Sequence, residues 1–119
     1  MRTELENRLV ELALNINEVC RSLDGSYLSQ HIINQIIRSS TSAALNYGEA
    51  QAAESKKDFI HKVSLVLKEL RETKVSLKLL KNSVRRDLHI IYKNCQSECD
   101  QLIAIFHKTV ISARAKLAK

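Results

Sequence analysis

The sequence has no proline and no tryptophan, and only two glycines, Gly25 and Gly48. Proline and glycine are the strongest helix breakers, so little in these 119 residues stops a helical pattern once it has begun. An all-α fold is favoured before any periodicity is counted. Aromatic residues are also few, three tyrosines and two phenylalanines, which disfavours a platform that stacks single-stranded bases. No apolar run approaches the ~18 residues that a membrane span requires. The first thirty residues carry acids instead of a basic and then apolar signal segment, so a cytoplasmic protein without a membrane partner is expected. Cys20, Cys95 and Cys99 are an odd number of thiols in such a chain, which argues against a disulfide framework and for reduced cysteines.

The motifs of catalysis are missing too. The chain has no nucleophile elbow, no phosphate-cradling glycine loop and no paired-carboxylate motif, and an enzyme is not expected. Di-metal helical bundles need two Glu-x-x-His pairs and two further glutamates, whereas this chain offers only Asp58-Phe59-Ile60-His61. Cys95 and Cys99 share a helix face, but a structural zinc site takes four ligands, and small core residues are the better reading. Neither a metal nor any other cofactor is expected.

What is present is ordinary globular material with an unusual charge distribution. Hydrophobic residues make up 45% and charged residues 27%, and a chain of this length suits one domain with its own core. Net charge is +6. Residues 1–55 hold four basic and seven acidic residues, residues 56–93 eleven and four, and residues 94–119 four and two. A basic excess confined to the middle of the chain points to nucleic acid, an acidic protein surface or an anionic membrane, in that order.

Apolar spacing then divides the chain into four helices. Leu5, Leu9, Leu12, Ile16, Val19 and Leu23 alternate steps of four and three and predict a helix over 3–22. Asp24-Gly25-Ser26 is a turn in which the glycine is free to take positive φ. A second helix over 28–52 has Ile32, Ile33, Ile36, Ile37, Ala43, Ala44 and Tyr47 on a broad face, with Ser39, Ser40 and Ser42 allowing close helix approach. Ser55 and Asp58 read as a capping box that opens a third helix over 56–84. Its register runs Phe59, Val63, Val66, Leu70, Thr73, Leu77, Leu80 and Val84 without a break. A fourth helix, 87–116, follows Leu88, Ile91, Cys95, Cys99, Leu102, Phe106, Val110 and Ala113. Four such helices with short connections predict a single-domain antiparallel up-down four-helix bundle.

Two polar constellations stand against that frame. Lys57, His61, Lys68, Arg71, Lys74, Lys78, Lys81 and Arg85 fall on one flank of the third helix, with Arg86 following. At about 1.5 Å per residue they form a stripe some 40 Å long, suited to neutralising phosphates with no base readout. The alternative is a solvated charged face. In the second helix, Arg38, Ser42, Asn46 and Glu49 lie within an arc of about 80°, at about 100° per residue, roughly opposite the apolar face. Such a set meets either water or another molecule, and a subunit contact is the sharper reading.

Arg38-Ser39-Ser40-Thr41-Ser42, Asn46-Tyr47-Gly48-Glu49 and Ser55-Lys56-Lys57-Asp58-Phe59-Ile60 together carry a family resemblance. The pattern resembles that of the four-helix-bundle proteins encoded in intervening sequences of bacterial 23S rRNA genes: arginine, small residues and serine, then Asn-Ile-x-Glu-Gly, then Ser-Lys-Lys-Glu-Phe. Ser64, Leu70, Glu72 and Leu77 fit its continuation, so the likeness spans about residues 28–84. Tyr47 stands for the isoleucine, Ala50 for the glycine and Asp58 for the glutamate, while Ala53 and Glu54 precede Ser55 where an arginine is usual. The resemblance implies a pentameric ring of four-helix bundles, no known catalysis, and kinship with the accessory protein of diversity-generating retroelements, which looks like a basic ring binding nucleic acid and a reverse transcriptase. The expected function is a non-enzymatic oligomer that binds structured RNA or DNA through the basic stripe. The other reading is an adaptor whose basic face docks an acidic protein such as a reverse transcriptase.

Overall fold

The protein is described by a computed structural model covering residues 2–118. The described chain forms four α-helices: α1 Arg2–Cys20, α2 Tyr27–Gln51, α3 Lys56–Leu79 and α4 His89–Ala118. Between α3 and α4 lie two short 3-10 turns, Lys81–Ser83 and Arg86–Leu88. Each helix packs against its chain neighbours, and α1 closes the ring against α4. Cross-helix bonds show the directions. Arg38 meets Glu69 and Glu72 while Glu49 meets Lys62, so α2 and α3 are antiparallel. Tyr92 reaches Leu77 and Asp100 reaches Lys74, so α3 and α4 are antiparallel as well.

The apolar stripes read from the sequence meet in one core. Leu9, Leu12, Ile16 and Val19 of α1, Ile32, Ile36, Ala43 and Tyr47 of α2, and Val63, Val66, Leu70 and Leu77 of α3 are buried. From α4 come Cys95, Cys99, Leu102, Phe106 and Val110. Burial of each large aliphatic side chain contributes about 1.5–3 kcal/mol, so this register is the main reason the helices stay together. Phe106 is fully buried and takes Tyr47 edge-on, ring centroids 5.2 Å apart. The small residues Ser39, Ser40 and Ala43 are buried on α2, and Ser39 meets Thr73 of α3 directly. Close approach would strand a buried hydroxyl, but Ser39 and Thr73 share a hydrogen bond (2.7 Å), and each reaches a carbonyl of its own helix, Ile36 for Ser39 (3.3 Å) and Glu69 for Thr73 (2.9 Å).

The helix ends show where sequence and structure part. Ser55 caps α3 as expected, its hydroxyl accepting from Asp58 N–H (3.0 Å), but the Asp58 side chain does not close the box. Gly25 does not take positive φ. The turn is built instead by Asp24, whose carboxylate accepts from Ser29 Oγ (2.7 Å) and Ser26 N–H (3.3 Å), while Ser26 caps α2. These bonds, that to Ser29 first, hold the Asp24 carboxyl below its usual range.

The largest departure concerns the third helix, which stops at Leu79 and does not reach residue 84. Val84 and Arg85 are extended, with ψ of 127° and 141°. The apolar register survives because Leu80 and Val84 still turn inward, but the backbone beneath it is no longer helical. Asn82 and Ser83 favour local backbone bonding over helix, and two consecutive arginines bring no apolar contact to hold a further turn. Helix α4 therefore opens at His89 and runs to Ala118, and its inward residue in the first turn is Tyr92, with Ile91 only half-buried.

Candidate nucleic-acid interface

Because α3 ends at Leu79, the basic stripe is not one helical line. Lys57, His61, Lys68, Arg71, Lys74 and Lys78 lie on α3, whereas Lys81, Arg85 and Arg86 lie on the turns beyond it. All but Lys74 are exposed. Their chemical states differ more than their positions do. Lys74 is paired with Asp100 across the α3/α4 seam (3.0 Å), and Arg85 grips Asp87 through two bonds of 2.6 and 3.0 Å. The Arg85 guanidinium holds the Asp87 carboxyl below its usual range. Arg71 lies 3.5 Å from His107 Nδ1, with no carboxylate in the pair. Among the described residues, no carboxylate pairs with Lys57, Lys68, Lys78, Lys81 or Arg86.

The structure also brings in residues that the stripe omitted. Where α3 ends and α4 begins, Lys78 and Lys81 line a concavity of about 420 Å³ together with His89, Tyr92, Lys93 and Gln96. Lys93, His89 and Gln96 sit on the opening turns of α4 and meet α3's lysines only through antiparallel packing. The Tyr92 hydroxyl donates to the Leu77 carbonyl and accepts from Gln96 Nε2 (3.3 Å), so the floor is fixed by hydrogen bonds. The only available signal in the sequence was Lys93, a further cation at the end of the basic segment. A larger cleft of about 790 Å³ lies at the opposite corner, walled by Phe59, Ile60, Ile105 and Ala113 and bordered by Lys56, Lys108 and Lys116, a smaller group of cations that no carboxylate pairs with among the described residues.

Arg38, Ser42, Asn46 and Glu49 are not opposite the core. They sit on the flank of α2 that faces α3. Arg38 pairs with Glu69 (2.8 Å) and with Glu72, and Glu49 lies 3.5 Å from Lys62. Asn46 donates to the Ser42 carbonyl (2.9 Å) and hydroxyl (3.1 Å). Glu69 is nearly buried, and a carboxylate there needs a cation, which Arg38 supplies while its own side chain remains half-exposed. Arg38 and Glu49 thus tie α2 to α3 within one chain, while Ser42 and Asn46 bond to each other along α2.

The three cysteines are buried and free. Burial pushes the thiols of Cys20 and Cys95 up to about 11 and that of Cys99 to about 12, which suppresses the reactive thiolate. Among the described residues no group of three or more His, Cys, Asp or Glu side chains is placed to hold a metal, and no helix is long and apolar enough to cross a membrane.

Fold and surface together define a small helical-bundle protein with a polar-stapled α2/α3 seam and a cation-rich flank along α3 and the start of α4. The profile of the 23S rRNA-intervening sequence proteins matches residues 3–108, and the chain belongs to that family. It is similar to a crystal structure of a protein of unknown function from the S23 ribosomal protein family of Bacteroides thetaiotaomicron. That likeness has a TM-score of 0.73 and 27% identity, covering 89% of this chain and 97% of the other. No curated protein matches it. Neither description names a reaction.

Proposed function

We propose that the protein is a non-enzymatic, self-associating RNA-binding bundle whose contact surface is the unpaired cationic flank: Lys68, Arg71 and Lys78 of α3, Lys81 and Arg86 of the turns, and Lys93 of α4. The observation that carries this reading is the segregation of paired from unpaired charge. At the α2/α3 and α3/α4 seams Arg38 and Lys74 are neutralised by Glu69, Glu72 and Asp100; along this flank six cations are left without acids, against the three lysines at the opposite cleft. Ammonium and guanidinium groups of this kind release condensed counterions when they meet phosphates, which gives affinity without sequence readout. The name of the family, which ties its members to an intervening sequence of 23S rRNA, supports RNA over an acidic protein as the partner. Self-association, in the ring that the family resemblance implies, would repeat the flank and add weak contacts through multivalency.

Gel retardation of a structured RNA tests the reading. Wild-type protein binds at low salt, with log affinity falling against log salt by about 0.7–0.9 per phosphate neutralised. Lys78→Glu/Lys81→Glu/Lys93→Glu weakens binding at least about 100-fold with helicity unchanged, since each lost phosphate contact is worth roughly tenfold at low salt. Failure of the wild-type protein to retard structured RNA at low salt defeats the proposal. Light scattering that returns a monomer mass defeats its self-association.

A further inference from the structure

The α3/α4 corner differs from the rest of the flank in its lining. Lys68 and Arg71 border a hollow of about 650 Å³ that they share with Arg38 and Glu72, so an acid stands among the cations there. Lys78, Lys81 and Lys93 instead surround a hollow of about 420 Å³ whose six lining residues include no carboxylate. That volume lies in the range of small-ligand pockets and exceeds what one phosphate fills. It accommodates a phosphate with its nucleoside.

The placement of the three lysines is only partly explained by structural needs. Lys78 is in the last turn of α3, where a cation complements the helix dipole. Lys81 directly follows the α3 C-cap Leu80, where the same dipole favours a cation, but Lys93 is in the first turns of α4, where a cation gains nothing from the dipole. Lys93 therefore joins the other two without a structural reason. The hollow's floor is set before any ligand arrives: Tyr92 spends its proton on Leu77, and Gln96 donates one amide hydrogen to Tyr92, which leaves Gln96 a second hydrogen to offer. His89 is anchored through Nε2 to the Val84 carbonyl (3.2 Å), so Nε2 carries the proton and the ring stands as a fixed wall.

We infer that this concavity is a site for a terminal phosphomonoester, the phosphate at an RNA end with its terminal nucleoside, held by Lys78, Lys81, Lys93 and Gln96. A monoester carries close to two negative charges at neutral pH and has three unesterified oxygens, so three ammonium groups and an amide match it better than they match a diester, which has one charge and two such oxygens. A chain end also needs to enter the hollow from one side only. The biological source of the ligand rests on the RNA reading above, but the site itself is testable without it.

The first measurement is a nuclear magnetic resonance titration of the whole protein with adenosine 5′-monophosphate, with adenosine and dimethyl phosphate as controls. The expected result is shifts centred on His89, Lys93 and Gln96 with the nucleotide, at least tenfold weaker with either control, and lost in Gln96→Leu/Lys81→Met. Equal shifts with the controls, or no shifts at that corner, overturn the inference. The second measurement compares one structured RNA bearing a 5′-phosphate, a 3′-phosphate or hydroxyls at both ends. A terminal phosphate at one end raises affinity about tenfold, and Gln96→Leu removes most of that advantage while binding of the hydroxyl-ended RNA stays within threefold. Equal affinity for all three RNAs overturns the inference and leaves the RNA reading standing. Absence of any RNA binding defeats the RNA reading, and the nucleotide titration then decides the site alone.

Discussion

The α2/α3 seam and the α3/α4 seam share a helix yet are held together by different means. Between α2 and α3, polar groups lock the helices: Ser39 on Thr73, Arg38 on Glu69 and Glu72, Glu49 near Lys62. Between α3 and α4 the interior is mainly apolar and thiol-bearing, with fewer polar bonds, Tyr92 to the Leu77 carbonyl, Cys99 Sγ to the Leu70 carbonyl (3.3 Å) and the exposed Lys74 on Asp100, and the outer edge carries surplus positive charge. Polar locks fix position and angle, because each bond has a geometry; apolar packing supplies free energy without that directionality. Charge left over at the α3/α4 edge is then available for a partner.

The largest expected effect is alkaline and comes from the thiols of Cys95 and Cys99 on α4 and Cys20 at the end of α1. Burial raises the thiols of Cys20 and Cys95 to about 11 and of Cys99 to about 12, above the ordinary 9.0. Such a group stays protonated in the folded state while the unfolded chain already ionises. Its contribution is therefore whole below pH 9 and is lost as pH rises through the folded value. The loss is about 1.4 kcal/mol per pH unit for each thiol, so denaturant midpoints should fall steeply between pH 9 and 11. Cys99→Ala should flatten that fall by about a third; an unchanged slope would show that the thiol is not buried as described. On the acid side the sign reverses: Asp24 and Asp87, both lowered, contribute above the ordinary carboxylate range, and that part is lost as pH falls through their folded values.

Next in size are the locks of α2/α3. Arg38→Met leaves Glu69 nearly buried without its cation and should cost about 1–2 kcal/mol, less than a fully buried pair because Arg38 itself is half-exposed. Thr73→Val removes both the bond to Ser39 and the bond to the Glu69 carbonyl and should cost about 1–2 kcal/mol, with Ser39 keeping the Ile36 carbonyl, whereas Ser39→Ala costs less because Thr73 keeps its bond to Glu69. Combining Ser39→Ala with Thr73→Val should be no worse than Thr73→Val alone. Urea midpoints of the four variants check the order, and additive losses would mean that the two hydroxyls do not act as a pair.

These contrasts also explain what could be read from the residues in advance. The four-three spacing of Leu9, Leu12, Ile16 and Val19, or of Val63, Val66, Leu70 and Thr73, states which side of a helix is inside, and each of these positions is buried. It does not state which neighbour occupies which flank. Arg38, Ser42, Asn46 and Glu49 were legible as a shared arc, but that Glu69, Glu72 and Lys62 stand across from it depends on how α3 packs beside α2. The end of α3 at Leu79 was obscured because Leu80 and Val84 continue the apolar spacing over a backbone that has left the helix. The approach of Lys93 and Gln96 to Lys78 and Lys81 is a matter of antiparallel register, which no single helix encodes.

The smallest stability effect is the one that most sharpens the division between structural and available charge. Lys74 and Asp100 are both substantially exposed, so their 3.0 Å pair resembles surface ion pairs worth about 0–1 kcal/mol, and Lys74→Ala should shift stability by no more than about 0.5 kcal/mol. If pairing rather than position keeps Lys74 out of the RNA contact, releasing it should matter more than deleting it. Asp100→Asn removes the partner and one negative charge from the edge, and should raise RNA affinity about two- to threefold at low salt, with the gain gone at high salt where screening shortens its reach. Lys74→Ala in the wild-type background should change that affinity by less than twofold, while the same substitution on top of Asp100→Asn should cost most of what the release gained. A large loss from Lys74→Ala alone would place the contact at the middle of α3, and the segregation of paired from unpaired cations would then not be what locates the interface.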